Sequence, residues 1–420
     1  MRPDVNVECD TDIQKRSYLL WSPVPIFMPL RHRILALALL AALSQWVAGT
    51  GQEPADREAT ESTATRLREK GWWPTRGDAA RNEFIGTQAC ADCHKEQVLK
   101  QLQTPMAHAA WKASETEVLR SKASISQSTP PFKTEITRDR KGSTYTAARG
   151  GEAMSGQILW SMGDDTMGQT FVVQAGGTLY ESQLSYFRAI DGLDLTPGHT
   201  HAPTRALEQA FGVAQSTETA QQCFGCHTTA SSVRGKFDES KATPGITCEA
   251  CHGPGATHVE AMQDKRDDAG RGAMLDPRTF GPVKLADFCG ACHRTPLDVA
   301  AEKDFLPINI RFQPYRLAKS RCWTRPDRRI TCVACHDPHE DLQKGAKFYD
   351  GKCLACHTSG TTGAGHDSPV PASADSLPVC RVSTHDCVSC HMPKYIVPQM
   401  HGSFTDHDIR IVRPGDQYPL

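Results

Sequence analysis

Fourteen of the seventeen cysteines fall into seven pairs of one form, Cys-x-x-Cys-His. They are Cys90 and Cys93 with His94, Cys223 and Cys226 with His227, Cys248 and Cys251 with His252, and Cys289 and Cys292 with His293. Cys332 and Cys335 with His336, Cys353 and Cys356 with His357, and Cys387 and Cys390 with His391 complete the set. Two thiols three residues apart on one helical turn can each add to a vinyl group of a porphyrin and form thioethers. The histidine next to the second thiol then lies under the iron and supplies an axial nitrogen. This spacing is the attachment signature of haem c.

Three other readings of the cysteines compete and fit less well. Zinc ribbons use two Cys-x-x-Cys pairs per metal and need no histidine after each; seven pairs leave one over. A disulfide scaffold suits an exported chain but gives no reason for the histidines. Thioredoxin-like motifs occur once or twice within a βαβ pattern, not seven times. The reading is therefore seven covalently attached haems c.

Each iron has a second axial position. Outside the motifs and His32, nine histidines remain: His108, His199, His201, His258, His339, His366, His385, His401 and His407. Nine candidates for seven positions come close to full bis-histidine ligation, with at least two in surplus. His258 follows its motif across Gly253-Pro254-Gly255, a turn that re-aims the chain. His339 is too close in sequence to His336 to reach the far side of the same haem, so it points to a neighbouring one. His108, on a helix-like stretch, and His366, His401 and His407 are further candidates; of His199 and His201, which share one turn, His199 is taken as the ligand. His385 directly precedes the seventh motif and is left open. Met106, Met392 and Met400 stand near motifs, and methionine ligation would raise a haem's potential; the abundance of histidine argues against it. Cys322 and Cys380 lie outside the motifs and suit a disulfide in an oxidising compartment.

Something must hold these residues. In a chain of 420 residues, hydrophobic content is 39% and aromatic content 7%, with 32 Gly and 27 Pro. That is thin material for a conventional core, and the porphyrins themselves would supply the missing apolar volume. The expected fold is mainly α, with short helices and long loops wrapped around a multihaem core and a small antiparallel β subdomain, α+β overall. Residues 1–50 read as a presequence. Arg31-His32-Arg33, an apolar run from Ile34 to Leu43 and a small-residue exit describe a secretory signal. That run is shorter than the roughly 20 residues of a membrane span. Met28 makes a better start than Met1, and Cys9 then has no role. Residues 51–130 hold a lead-in and the first haem segment. In 131–190, short β-branched and aromatic runs alternate with turn signals such as Arg149-Gly150-Gly151 and Ala175-Gly176-Gly177, the pattern of the β subdomain. Residues 191–420 hold six haem motifs.

Gly86-Thr87-Gln88-Ala89-Cys90 through His94 with His108 downstream resembles the first haem segment of the cytochrome c-554/c-prime type of multihaem cytochromes. Ile246 to His258, Thr331 to His339, and Cys387 to Pro393 with His401 and His407 also resemble that family, so the similarity runs through nearly all of 84–412. It implies an exported, periplasmic protein that transfers electrons between other redox proteins of a respiratory chain. Related proteins also include oxidoreductases for small nitrogen or sulfur compounds that keep one haem open; the nine spare histidines weigh toward the non-catalytic reading. The net charge of −1 and a pI near 7 leave no electrostatic footprint for nucleic acid. No segment after the signal is expected to span a membrane.

Overall fold

Two pairs of glycines set the shape of the largest element. Gly150 (φ 56°) and Gly151 (φ 92°) join strands β4 (Gly142–Arg149) and β5 (Glu152–Met162). Gly176 (φ 56°) and Gly177 (φ 83°) join β6 (Gly168–Ala175) to β7 (Thr178–Ser182). Positive φ at both central residues gives the two-residue hairpin turn whose twist matches that of its strands. The computed structural model describes residues 79–199, 205–301, 308–324, 330–357, 380, 382–413 and 415–418. The expected export signal, Cys9, the lead-in before residue 79, His201 and His366 lie outside the described residues.

Around these hairpins the chain builds a ten-stranded antiparallel sheet. Its remaining strands are β1 (Ala110–Lys112), β2 (Ser124–Thr129), β3 (Phe132–Asp139), β8 (Leu184–Phe187), β9 (Gly192–Leu195) and β10 (Gly212–Ala214). The order is β10-β7-β6-β5-β4-β3-β2; β1 joins β5, and β8 bridges β6 and β9. Alternation decides which face is buried. Phe132, Thr134 and Ile136 of β3 point inward with Ser143, Tyr145 and Ala147 of β4, while Lys133 stays exposed. Helices α2 (Glu117–Ser121) and α3 (Leu207–Phe211) add Val118, Leu119 and Phe211 to this core, where Phe211 meets Tyr145 and Tyr180 edge to face.

The expectation of a mainly α protein with a small β subdomain is thus overturned: the sheet is the largest single element. The sequence pattern caught its central hairpins. It missed β1, β2, β9 and β10, which lie outside residues 131–190; the three-residue β1 and β10 have little periodicity of their own and exist because β5 and β7 offer them unpaired edges.

The haem motifs sit on short helices. They lie on α1 (Thr87–Gln101, with a kink at His94), α4 (Thr217–His227), α5 (Cys248–His252), and, past α6 (Ala256–Gln263) and α7 (Asp267–Gly272), α8 (Pro282–His293). After α9 (Pro296–Ala301), α10 (Gln313–Ala318) and α11 (Arg321–Thr324) come α12 (Cys332–Cys335), α13 (Ala346–His357) and α14 (Cys387–His391). Two-stranded pieces fill the gaps: β11 (Thr228–Thr229) with β14 (Thr243–Pro244), β12 (Ser232–Val233) with β13 (Lys236–Phe237), and β15 (Lys394–Val397) with β16 (Gly402–Thr405). Among the described residues no helix is long and apolar enough to cross a membrane.

Candidate functional site

In every motif both cysteines lie on one helical turn, as the thioether chemistry requires, and all fourteen are free thiols, none spent in a disulfide. The second motif is seated on the sheet. Phe224, between Cys223 and Cys226, packs edge to face on Trp160 with ring centres 5.2 Å apart. Trp160 in turn donates its indole N–H to Glu239 at 2.8 Å and carries the Lys112 ammonium 3.6 Å above its ring.

The thiols differ in how far they are enclosed. Cys356 is only half-buried near the end of α13, and Cys390 is exposed on α14; Cys93, on α1, is exposed as well. Helices α13 and α14, which carry the first two, pack on each other. Cys356 lies beside Cys335, and the Cys390 carbonyl accepts the Val412 N–H at 3.0 Å, so both positions are tied into the fold.

The histidine rings are held by one of their two nitrogens. Nδ1 lies 2.8 Å from the Ala109 carbonyl in His227, 2.9 Å from that of Leu275 in His252, and 3.0 Å from that of Arg410 in His391. The candidate distal histidines repeat the arrangement, His258 on Gly270 at 2.8 Å and His407 on Thr405 at 3.1 Å. An Nδ1–H that donates to a carbonyl fixes the tautomer and leaves the Nε2 lone pair for a metal. Burial pushes the His227, His252, His293 and His336 imidazoles below their ordinary range, and His407 to about 4. These rings are therefore neutral at neutral pH, as ligation demands. Burial also pushes the Cys223 thiol up to about 12 and Cys251 to about 11, whereas the neighbouring Cys90 thiol draws Cys248 down to about 7. Among the described residues no three His, Cys, Asp or Glu converge on one point.

Three motif histidines face a second imidazole from elsewhere in the chain. His94 faces His258 with ring centres 6.3 Å apart, His252 faces His339 at 6.0 Å, and His336 faces His407 at 6.2 Å. A metal–imidazole bond of about 2 Å on each side, plus about 1.1 Å from nitrogen to ring centre, places two axial imidazoles about 6.2 Å apart. The paired rings thus have the separation that one shared iron needs, and the donor set fits haem.

Other candidates are placed differently. His199 lies against the sheet with Nδ1 3.0 Å from Gln183 Oε1 and Nε2 3.1 Å from Glu181 Oε2, so both nitrogens are engaged. His401 Nε2 is 2.8 Å from Asp194 and its ring leans on Phe187. His108 lies in the turns after α1, its ring 5.2 Å from that of Trp111. His385 is exposed beside Asp386, and the Met400 sulfur accepts a hydrogen bond from Arg311. The Cys322–Cys380 disulfide is not formed: Cys380 is an exposed free thiol.

The motifs also find one another. Cys90 adjoins Cys248, Cys226 adjoins Cys292, Cys289 adjoins Cys332, Cys335 adjoins Cys356, and Cys353 adjoins Cys387. Cys251, Cys289 and Cys292 pack on one apolar cluster of Leu285, Phe288 and Ala291, and α12 packs on α13. The attachment sites therefore form one row, beginning at Cys90/Cys93 and running through Cys248/Cys251, Cys289/Cys292, Cys332/Cys335 and Cys353/Cys356 to Cys387/Cys390. The Cys223/Cys226 site branches from the third. This order differs from that along the chain, and no sequence signal carried it.

A buried clamp fixes the far end. Arg316 donates to Asp406 through Nε at 2.8 Å and Nη2 at 2.9 Å, both side chains fully buried, and Arg410 adds a bond to Asp406 at 2.6 Å. The clamp holds the segment that presents His407 to His336 and the Arg410 carbonyl to His391. Its signal in the sequence, Asp-His-Asp, was read only for the histidine.

Repeated thiol pairs on helical turns and facing neutral imidazoles, together with the relatives described next, define this chain as a multihaem c-type cytochrome that holds haem c. More particularly, residues 196–253 match the family model of cytochrome c554 and c-prime. The chain is similar to the multihaem cytochrome MtrA of Shewanella baltica (strain OS185), with 23% identity over 226 residues, covering 51% of this chain and 55% of that protein. The chain thus spans little more than half the length of that curated relative. Among solved structures it is similar to the outer cell wall cytochrome OcwA at 16% identity, covering 79% of this chain and 80% of that one, with a TM-score of 0.44.

Proposed function

We propose that this cytochrome binds seven haems c, one at each Cys-x-x-Cys-His, and carries single electrons between redox proteins of a respiratory chain outside the cytoplasm. Bound haem supplies a one-electron Fe(III)/Fe(II) couple whose potential is set by axial ligands and surroundings. The chain's own residues attach, orient and space these groups. The observation that carries the reading is the set of facing imidazoles, His94/His258, His252/His339 and His336/His407, at the separation of axial ligands. An iron held between such a pair would exchange electrons and leave no position for a substrate. The row of adjoining motifs supports transfer along the molecule, and the signal-like residues 31–49 support export to the periplasm or beyond.

Intact mass and the EPR spectrum of the oxidised protein test this together. The expected result is seven haems added, with low-spin ferric signals that nitrite, hydroxylamine and cyanide leave unchanged. A high-spin signal that shifts with those ligands would replace the carrier by an enzyme with an open iron. Any other number of haems would overturn the assignment of the motifs.

A further inference from the structure

Glu249 occupies the first variable position of the third motif, between Cys248 and Cys251, and is 2% exposed. Its carboxylate accepts three backbone hydrogen bonds of 2.9 Å: Oε1 from Ile85 N–H and Gly255 N–H, Oε2 from Gly86 N–H. Each donor belongs to a different piece of one arrangement. Ile85 and Gly86 open α1, which bears Cys90, Cys93 and His94. Gly255 ends the turn that leads to His258, the imidazole facing His94. Glu249 itself lies on α5 with His252. One side chain therefore ties together two attachment helices and the loop to a distal ligand. The fit is close: a Cβ on Gly255 would press into the Ile85 side chain.

The charge matters as much as the bonds. Among the described residues, none of the hydrogen bonds to Glu249 comes from Lys or Arg, and amide dipoles stabilise an anion without cancelling it. A fixed negative charge in a weakly screening interior acts over several ångströms on whatever lies beside it. Glu249 is close enough to be among the causes that raise the Cys90 thiol, after its hydrogen bond to Cys248, burial and the Cys248 charge. Ferric iron carries one positive charge more than ferrous iron, so a neighbouring anion favours the oxidised state. Asp350, three residues before Cys353, makes a similar tie to the Asp386 and Cys387 N–H groups at the start of α14.

We propose that Glu249 is a positioning residue that fixes the geometry of the haem pair at Cys90/Cys93 and Cys248/Cys251 and holds the potentials of both haems below the values they would have beside a neutral side chain. The proposal rests on the haem assignment above, and the experiment separates the two. Peptide mass mapping of the wild-type protein first establishes haem on both motifs; a wild type without them sinks the haem assignment and the inference with it. The full chain carrying Glu249→Gln is then titrated by spectroelectrochemistry. The expected result is an unchanged haem count, with two haem equivalents shifted to higher potential and the others unmoved. A fully loaded Glu249→Gln protein with no shift overturns the proposal. Should Glu249→Gln fail to assemble, Glu249→Asp and Glu249→Asn, equal in reach and different in charge, are compared. A higher potential for the pair in the Asn variant supports the proposal. Equal potentials, or failure of both to load haem, overturn it by leaving the carboxylate a role in assembly alone.

Discussion

At the scale of single residues, thioethers and axial nitrogens are separable. The covalent bonds retain the haem when a distal ligand is lost, so His258→Ala is expected to keep every haem and convert one to high spin. EPR and intact mass check this together; a spectrum that stays wholly low-spin would refute the pairing with His94. His199→Ala is expected to leave the spectrum unchanged, because both ring nitrogens already bond Gln183 and Glu181. The seven Cys-x-x-Cys-His patterns were legible in the sequence because each is local, written within five residues. How far each thiol is enclosed was not legible: Cys356 is half-buried and Cys390 exposed, on two helices that pack on each other. His258, His339 and His407 were legible as candidates from their turns and neighbours. Their partners were not, since each pairing joins residues distant in the chain and depends on how the helices pack.

At the scale of elements, two tight points hold the haem segments to one another and to the sheet. Gly245 (φ 69°) lies directly against the Ala107 backbone, beside the turn that bears His108 and the Ala109 carbonyl on which His227 rests. An alanine there costs about 1–2 kcal/mol for the left-handed backbone alone, and its methyl group has no room. Gly245→Ala is therefore expected to lower stability by more than that figure, measured by denaturant titration of the haem-loaded protein. The second point is the Arg316–Asp406 clamp. Arg316→Met leaves a buried carboxylate without its main partner and is expected to cost about 3–5 kcal/mol. It should also loosen His407, visible as a spectral change at one haem. A stability within about 1 kcal/mol of wild type would show that Arg410 alone satisfies Asp406. The sheet was under-read for a related reason: β1 and β10 have three residues each, too few for a period, and acquire their conformation from the edges they meet.

At the scale of the whole molecule, the row of motifs makes some haem sites more consequential than others. The Cys289/Cys292 site adjoins three neighbours, whereas Cys90/Cys93 and Cys387/Cys390 stand at the ends. Cys289→Ala with Cys292→Ala is expected to divide reoxidation of the reduced protein into separate fast and slow phases. Loss of the terminal Cys90/Cys93 site is expected to reduce the amplitude while keeping one phase. Stopped-flow absorbance distinguishes these outcomes, and a single phase in the first variant would contradict the order of the row.

The three facing pairs share one asymmetry. In each, the motif histidine comes first in the sequence and its opposite imidazole later: His94 before His258, His252 before His339, His336 before His407. Every such site, if its haem is joined to the thiols before the rest of the chain has folded, would wait half-finished for a residue still to arrive. Closure then proceeds from the amino-terminal side, the last of the three sealing only when the Arg316–Asp406 clamp has drawn in residues 405–410. Maturation of the protein is therefore expected to be vectorial, and a chain interrupted before Asp406 would announce itself by one iron left open.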